Sequence, residues 1–246
     1  MRGTIYIKVE TEIATNRNTA VAEEVIEMKK TMYSLILAED VVNAVDKLAD
    51  EEGTNRSNLI NQILAEYVSV TTPEKRILDV FRRVESLMHG ADNELPVYFA
   101  NHDNTLSIKS SLAYRYRPTI RYEVELYRVP KGTIGELKVN FRTQAPELLA
   151  AMTEFFSLWR NMEEIYVTRL LGDKKIEYSL DENKWTRSLY LPKDGEYAPE
   201  SVGTAISDYV RSFDRMMKKY LAGEYENAQA LENDYLAALN GGMMII

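Results

Sequence analysis

Residues 111–128 read SLAYRYRPTIRYEVELYR, and the side-chain character changes at almost every step. Even positions carry Tyr114, Tyr116, Tyr122, Val124 and Leu126; odd positions carry Arg115, Arg117, Arg121, Glu123 and Glu125. A helix would scatter these residues around its circumference, whereas a strand sorts them onto two faces. PKGTIG then turns the chain, and ELKVNFR alternates again with Leu137, Val139 and Phe141 on one side. Two antiparallel strands, each buried on one face, satisfy both stretches. The C-terminal part of the chain is therefore expected to be built on an antiparallel sheet. The segment 146–164 supplies a helix to cover it, with Met152, Phe155, Phe156, Trp159 and Met162 as core on one face.

Around this hairpin the periodicity predicts a mixed chain. Residues 4–13 and 31–37 read as strands, 19–30 as a short helix, and 38–52, 55–68 and 74–88 as three helices. Pro73 sits at the start of the third, where a missing N–H costs nothing. Strand-like pieces follow at 165–170, 175–180 and 185–191, then helices near 200–221 and 224–239. The fold class expected is α+β, in three parts: an extension over 1–30, a strand–helix–helix segment over 31–70, and a C-terminal domain over 71–246.

Composition narrows the chemistry. There are no cysteines and only two histidines, His89 and His102, so thiolate metal sites and disulfides are excluded and imidazole-based catalysis is disfavoured. No apolar run nears the roughly 20 residues a membrane helix needs, and MRGTIYIKVETE has no apolar signal region. A cytoplasmic location, no membrane partner, no cofactor and no metal are the expectations. The formal charge is −8, but residues 105–142 hold eight basic and three acidic side chains. Residues 28–70 lean the other way, with four basic and seven acidic.

The stretch EEGTNRSNLINQILAEYV, residues 51–68, then needs an account. Glycine commonly ends a helix in a left-handed conformation, so Gly53 closes the first helix. Asparagine is a strong N-cap, so Asn55 opens the second. Such a corner can be purely structural. It can also present a helix N-terminus to a phosphate.

Strand, helix, Gly53-Thr54-Asn55-Arg56-Ser57 and helix, in this order over about residues 31–70, resemble the ribbon-helix-helix family of DNA-binding proteins. The resemblance implies an intertwined homodimer, each chain giving one strand to a two-stranded ribbon that enters the major groove. Leu35, Leu37, Val41, Val45, Leu48, Leu59, Ile63 and Leu64 would form the joint core. In that register Met32, Ser34 and Ile36 face the bases: Ser34 can hydrogen-bond a base edge, while Met32 and Ile36 can touch thymine methyls. Asn55, Arg56 and Ser57 would receive a backbone phosphate. Double-stranded DNA is the implied partner, with a two-fold operator, and the C-terminal domain would sense a small-molecule effector or set assembly.

Other readings stay open beside this one. The outer face of strand 31–37 is either exposed or covered by another element such as strand 4–13. Arg115, Arg117 and Arg121, interleaved with tyrosines, could form an anion or nucleic-acid surface; a half-exposed sheet with cross-strand ion pairs explains them equally. Glu123, Glu125 and Glu136-Leu137-Lys138 have the outline of a metal-dependent nuclease, in which carboxylates hold a divalent ion and a lysine positions water. A dimeric interaction module that does not read DNA is the remaining alternative. No catalytic residue is assigned.

Overall fold

The computed structural model describes residues 32, 34–89, 95–99, 104–112, 118–172, 174–181, 183–191, 195–241 and 246. Three helices come first: α1 (Glu39–Glu51), α2 (Arg56–Tyr67) and α3 (Pro73–Met88). Strands β1 (Val97–Phe99), β2 (Thr105–Ser111), β3 (Thr119–Lys131) and β4 (Thr133–Phe141) follow. Next are α4 (Pro146–Tyr166), a 3-10 turn (Thr168–Leu171), β5 (Tyr178–Asp181), β6 (Lys184–Leu189), α5 (Pro199–Leu221) and α6 (Ala228–Asn240). The strands make one antiparallel sheet in the order β1-β2-β3-β4-β6-β5. The fold is α+β.

The alternation of the sequence becomes the two faces of this sheet. Ile120, Tyr122 and Val124 on β3 lie opposite Phe141, Val139 and Leu137 on β4, and all six are buried. The intervening residues place Glu123 opposite Lys138 and Glu125 opposite Glu136 on the other face, half exposed. Gly132, with φ of 81°, closes the hairpin in a conformation that glycine adopts without strain. Gly135 is needed for a different reason: a Cβ there would lie 2.1 Å from the Glu125 carbonyl oxygen.

Helices α3, α4, α5 and α6 bury their apolar stripes against the inner face in one continuous core. Its centre is aromatic: Phe213 of α5 meets Phe155 and Trp159 edge-on at 5.4 and 4.8 Å and stacks on Trp185 of β6 at 5.2 Å. The five α4 residues expected as core, Met152, Phe155, Phe156, Trp159 and Met162, are all buried. Proline starts α3, α4 and α5, where its fixed φ suits the first turn.

Helices α3 and α5 run alongside each other in the same direction, with Arg76 over the Tyr197 ring and Arg83 beside Thr204. Gly203 lets them approach: a Cβ at this position would lie 2.7 Å from both Cβ and Cγ of Arg83 and 3.0 Å from the Val80 carbonyl oxygen. Overpacking of this kind costs about 1–3 kcal/mol. The better helix propensity of alanine returns about 1 kcal/mol. Gly203→Ala is thus expected to lower the melting temperature by a few degrees, read by thermal unfolding at about 2–4 °C per kcal/mol.

Three expectations need correction. The stretch 111–128 is not one strand, because β2 ends at Ser111 and β3 begins at Thr119. Pro118 cannot donate to a ladder, and its carbonyl instead accepts from the Leu112 N–H at 3.0 Å. Residues 165–170 are not a strand either. They finish α4 and enter the 3-10 turn, and Val167 just before that turn and Leu171 at its end insert into the core. Finally, residues 34–37 are in neither helix nor strand and pair with no strand among the described residues. The expected strand 4–13, helix 19–30 and the whole extension 1–30 lie outside the described residues, as does His102.

Between α2 and α3 the chain turns through Ser69, whose φ of 59° is the only positive value at a non-glycine among the described residues. Thr72 caps α3, accepting from the Lys75 N–H at 3.1 Å, and the Lys75 amine reaches back to Glu66 of α2 at 3.3 Å.

Candidate nucleic-acid interface

The α1–α2 corner forms as its residue types dictate. Gly53 has φ of 64°, and the Thr54 N–H returns to the Ala49 carbonyl at 2.8 Å, satisfying the end of α1. Asn55 is extended, and its side-chain oxygen accepts from the Asn58 N–H at 3.0 Å. That bond satisfies the third donor of the turn, leaving the Arg56 and Ser57 N–H groups as the orphan donors of the helix end. Asn55, Arg56 and Ser57 are all exposed. The corner presents partial positive charge to solvent.

Arg56 is already engaged. Its Nε donates to Asp46 Oδ1 at 2.5 Å, and a second guanidinium nitrogen donates to Asp46 Oδ2. Both side chains are about half exposed. The hydrogen bond holds the Asp46 carboxyl below its ordinary range and raises the Arg56 pKa. Asp46 is the neighbour of Arg56 that sequence reading missed. The available signal was its place on α1, ten residues upstream across the helix corner.

The segment before α1 is equally open. Ile36 is fully exposed and Met32 is 95% exposed, with Ser34 also exposed between them. Leu35, Leu37, Val41, Leu48, Ile63 and Leu64 are exposed too, whereas Val45 is half buried and Leu59 is buried. Ala49, Leu59 and Ala65 are the only buried residues of α1 and α2. Two helices thus present an apolar face that the described residues leave uncovered. Between the corner, α3 and the β3 end lies a cleft of about 890 Å³, whose walls include Asn55, Asn58, Gln62, Lys75 and Arg128.

The basic surface expected on 115–121 is reached only in part. Arg115 and Arg117 lie outside the described residues. Arg121 is on β3, opposite Lys109 and 3.6 Å from the Glu123 carboxylate. The nuclease-like residues do come together on the open sheet face, but as an ion-pair cluster. The Lys138 amine lies 2.6 Å from Glu125 and 3.5 Å from Glu136, and the Glu125 hydrogen bond raises its pKa. Burial and a hydrogen bond to Glu136 push the Tyr127 hydroxyl well above its usual value. The lysine charge thus offsets one of the two carboxylates, and the neutral tyrosine adds a hydrogen bond to Glu136. Among the described residues no group of three or more His, Cys, Asp or Glu is placed to hold a metal.

A second polar centre lies in the core and was not foreseen. The Arg187 Nε donates to Glu163 Oε1 at 2.8 Å, and Tyr178 donates its hydroxyl to Glu163 Oε2 at 2.9 Å. Both ionised side chains are shielded from solvent. The guanidinium lies 4.6 Å from the centre of the Tyr209 ring, whose hydroxyl accepts from Trp159 Nε1 at 2.8 Å. Burial disfavours the Arg187 charge, and Glu163 more than offsets it, so its pKa stays above the ordinary value. A second guanidinium nitrogen of Arg187 donates to the Ser188 carbonyl at 3.1 Å. The role of the pair is to hold α4 on β6.

No protein-family model, no curated protein and no solved structure matches this chain.

Proposed function

We propose that the chain is a homodimeric, ribbon-helix-helix-type DNA-binding regulator whose sheet domain serves sensing or assembly. The observation that carries this reading is segment 34–37, exposed and paired with no strand among the described residues, leading into two helices whose apolar face the described residues leave open. A unit of about 40 residues cannot bury such a face alone, and a second copy of the same unit can. The antiparallel pairing of two 34–37 segments would close both unpaired edges at once. The exposed N-terminus of α2, with its orphan donors and Arg56, supports a phosphate contact on either side of the ribbon.

DNA binding is tested by Arg56→Ala. Removing one phosphate contact per subunit should weaken binding to all duplex sequences alike, by up to about tenfold, and reduce the salt slope by at most about one per subunit. Fluorescence anisotropy with two unrelated duplexes, each from 25 to 300 mM salt, reads both quantities. Identical curves for wild type and variant would remove the phosphate contact.

A second reading has its own support. Met32 and Ile36 give the outer ribbon face two apolar residues where hydrogen-bonding groups are usual. A dimeric module that meets protein on that face accounts for them directly. It predicts a dimer with no salt-dependent affinity for any duplex.

A further inference from the structure

The Asp46–Arg56 contact carries an inference that rests on the DNA-binding reading. Residues 34–70 hold two basic side chains, Lys47 and Arg56, against seven acidic ones. Lys47 lies on α1, whereas Arg56 is the first residue of α2, so Arg56 is the base placed to meet an incoming phosphate at the α2 end. Asp46 grips it through both carboxylate oxygens. That fork is the geometry an arginine offers to a phosphate, so the two anions compete for one set of donors.

We infer that Asp46 is a built-in competitor for the DNA phosphate, holding Arg56 out of the interface until DNA displaces it. The pair is half exposed, so exchange needs no opening of the core and is fast. Displacement has two consequences. Arg56 gives up one anion to gain another, so the net charge it brings to DNA is discounted. The released Asp46 carboxylate then stands beside the duplex and repels it. Weak binding and a shallow salt slope follow from one side chain.

The test compares wild type, Asp46→Asn, Arg56→Ala and the double variant, all as full-length chains, against a 30-base-pair duplex of mixed sequence. Asn keeps the shape of Asp46 and removes its charge. The expected result is that Asp46→Asn binds about three- to tenfold tighter at low salt, with a steeper salt dependence, because Arg56 then counts as a full phosphate contact instead of a discounted one. In the Arg56→Ala background the same change should have little effect, because the gain comes from releasing Arg56. If the gain persists without Arg56, general charge removal is its cause and the competitor role is overturned. If wild type binds through Arg56 and Asp46→Asn binds no better, the competitor role alone is overturned. If neither wild type nor Asp46→Asn binds any duplex, the DNA-binding reading fails and the inference falls with it. Matching thermal melts of the four chains exclude a folding artefact.

Discussion

Leu35→Asp is expected to leave a folded monomer. Leu35 is 59% exposed and therefore contributes little to the stability of a single chain. In the proposed dimer it turns inward beside Leu37 and meets its counterpart across the ribbon. Burying one leucine is worth about 1.5–3 kcal/mol, and the dimer buries two. The variant also forces two carboxylates toward an apolar interior and toward each other. The loss is therefore at least about 3–6 kcal/mol, a rise of roughly two to four orders of magnitude in the dissociation constant. Sedimentation velocity across 0.1–100 µM reads the association, and circular dichroism confirms that the helices and sheet remain. Wild-type chains that stay monomeric throughout this range would remove the dimer. A Leu35→Asp protein that still associates normally would move the contact elsewhere.

The second large effect belongs to the core. Arg187→Met leaves the Glu163 carboxylate buried with only the Tyr178 hydroxyl to meet it, and Glu163→Leu strands the guanidinium instead. Breaking one side of a buried pair costs about 3–5 kcal/mol, mostly because the survivor is uncompensated. Replacing both residues removes the two charges together, so the double variant should recover much of that loss. Urea unfolding of the three proteins measures the cycle. Additive losses would mean that the two side chains act separately, in conflict with the 2.8 Å contact.

The sheet was legible because period two sorts residues in a way no helix can, and Tyr122, Val124, Leu137, Val139 and Phe141 went to the interior as their spacing required. The three helices from 38 to 88 were legible from their caps: Gly53, Asn55 and Pro73 mark ends by backbone chemistry alone. What failed had a common cause. Local alternation cannot see a proline that breaks a ladder, and so β2 and β3 were run together. Nor can it see packing demands, which drew Val167 and Leu171 inward at either end of a 3-10 turn. The buried pair left a faint trace, an acid following Trp159 at helical spacing and an arginine at an inward position between Trp185 and Leu189. Long-range partners carry no such local mark, so Asp46 and Arg56 were seen singly. Asn55, Arg56 and Ser57 are exposed, and so are Met32, Ser34 and Ile36, whose segment pairs with no strand among the described residues.

Ser69 and the three residues after it join α2 to α3, and α3 is fixed in the core while α2 is not. Helix α2 spans 12 residues, about 18 Å at 1.5 Å per residue. A rotation of about 10° at Ser69 would therefore carry the Arg56 end of α2 sideways by roughly 3 Å over that lever arm. Glu66 and Lys75 clasp across the same joint, so loosening that one contact would convert a small torsional slack into a displacement as long as a hydrogen bond.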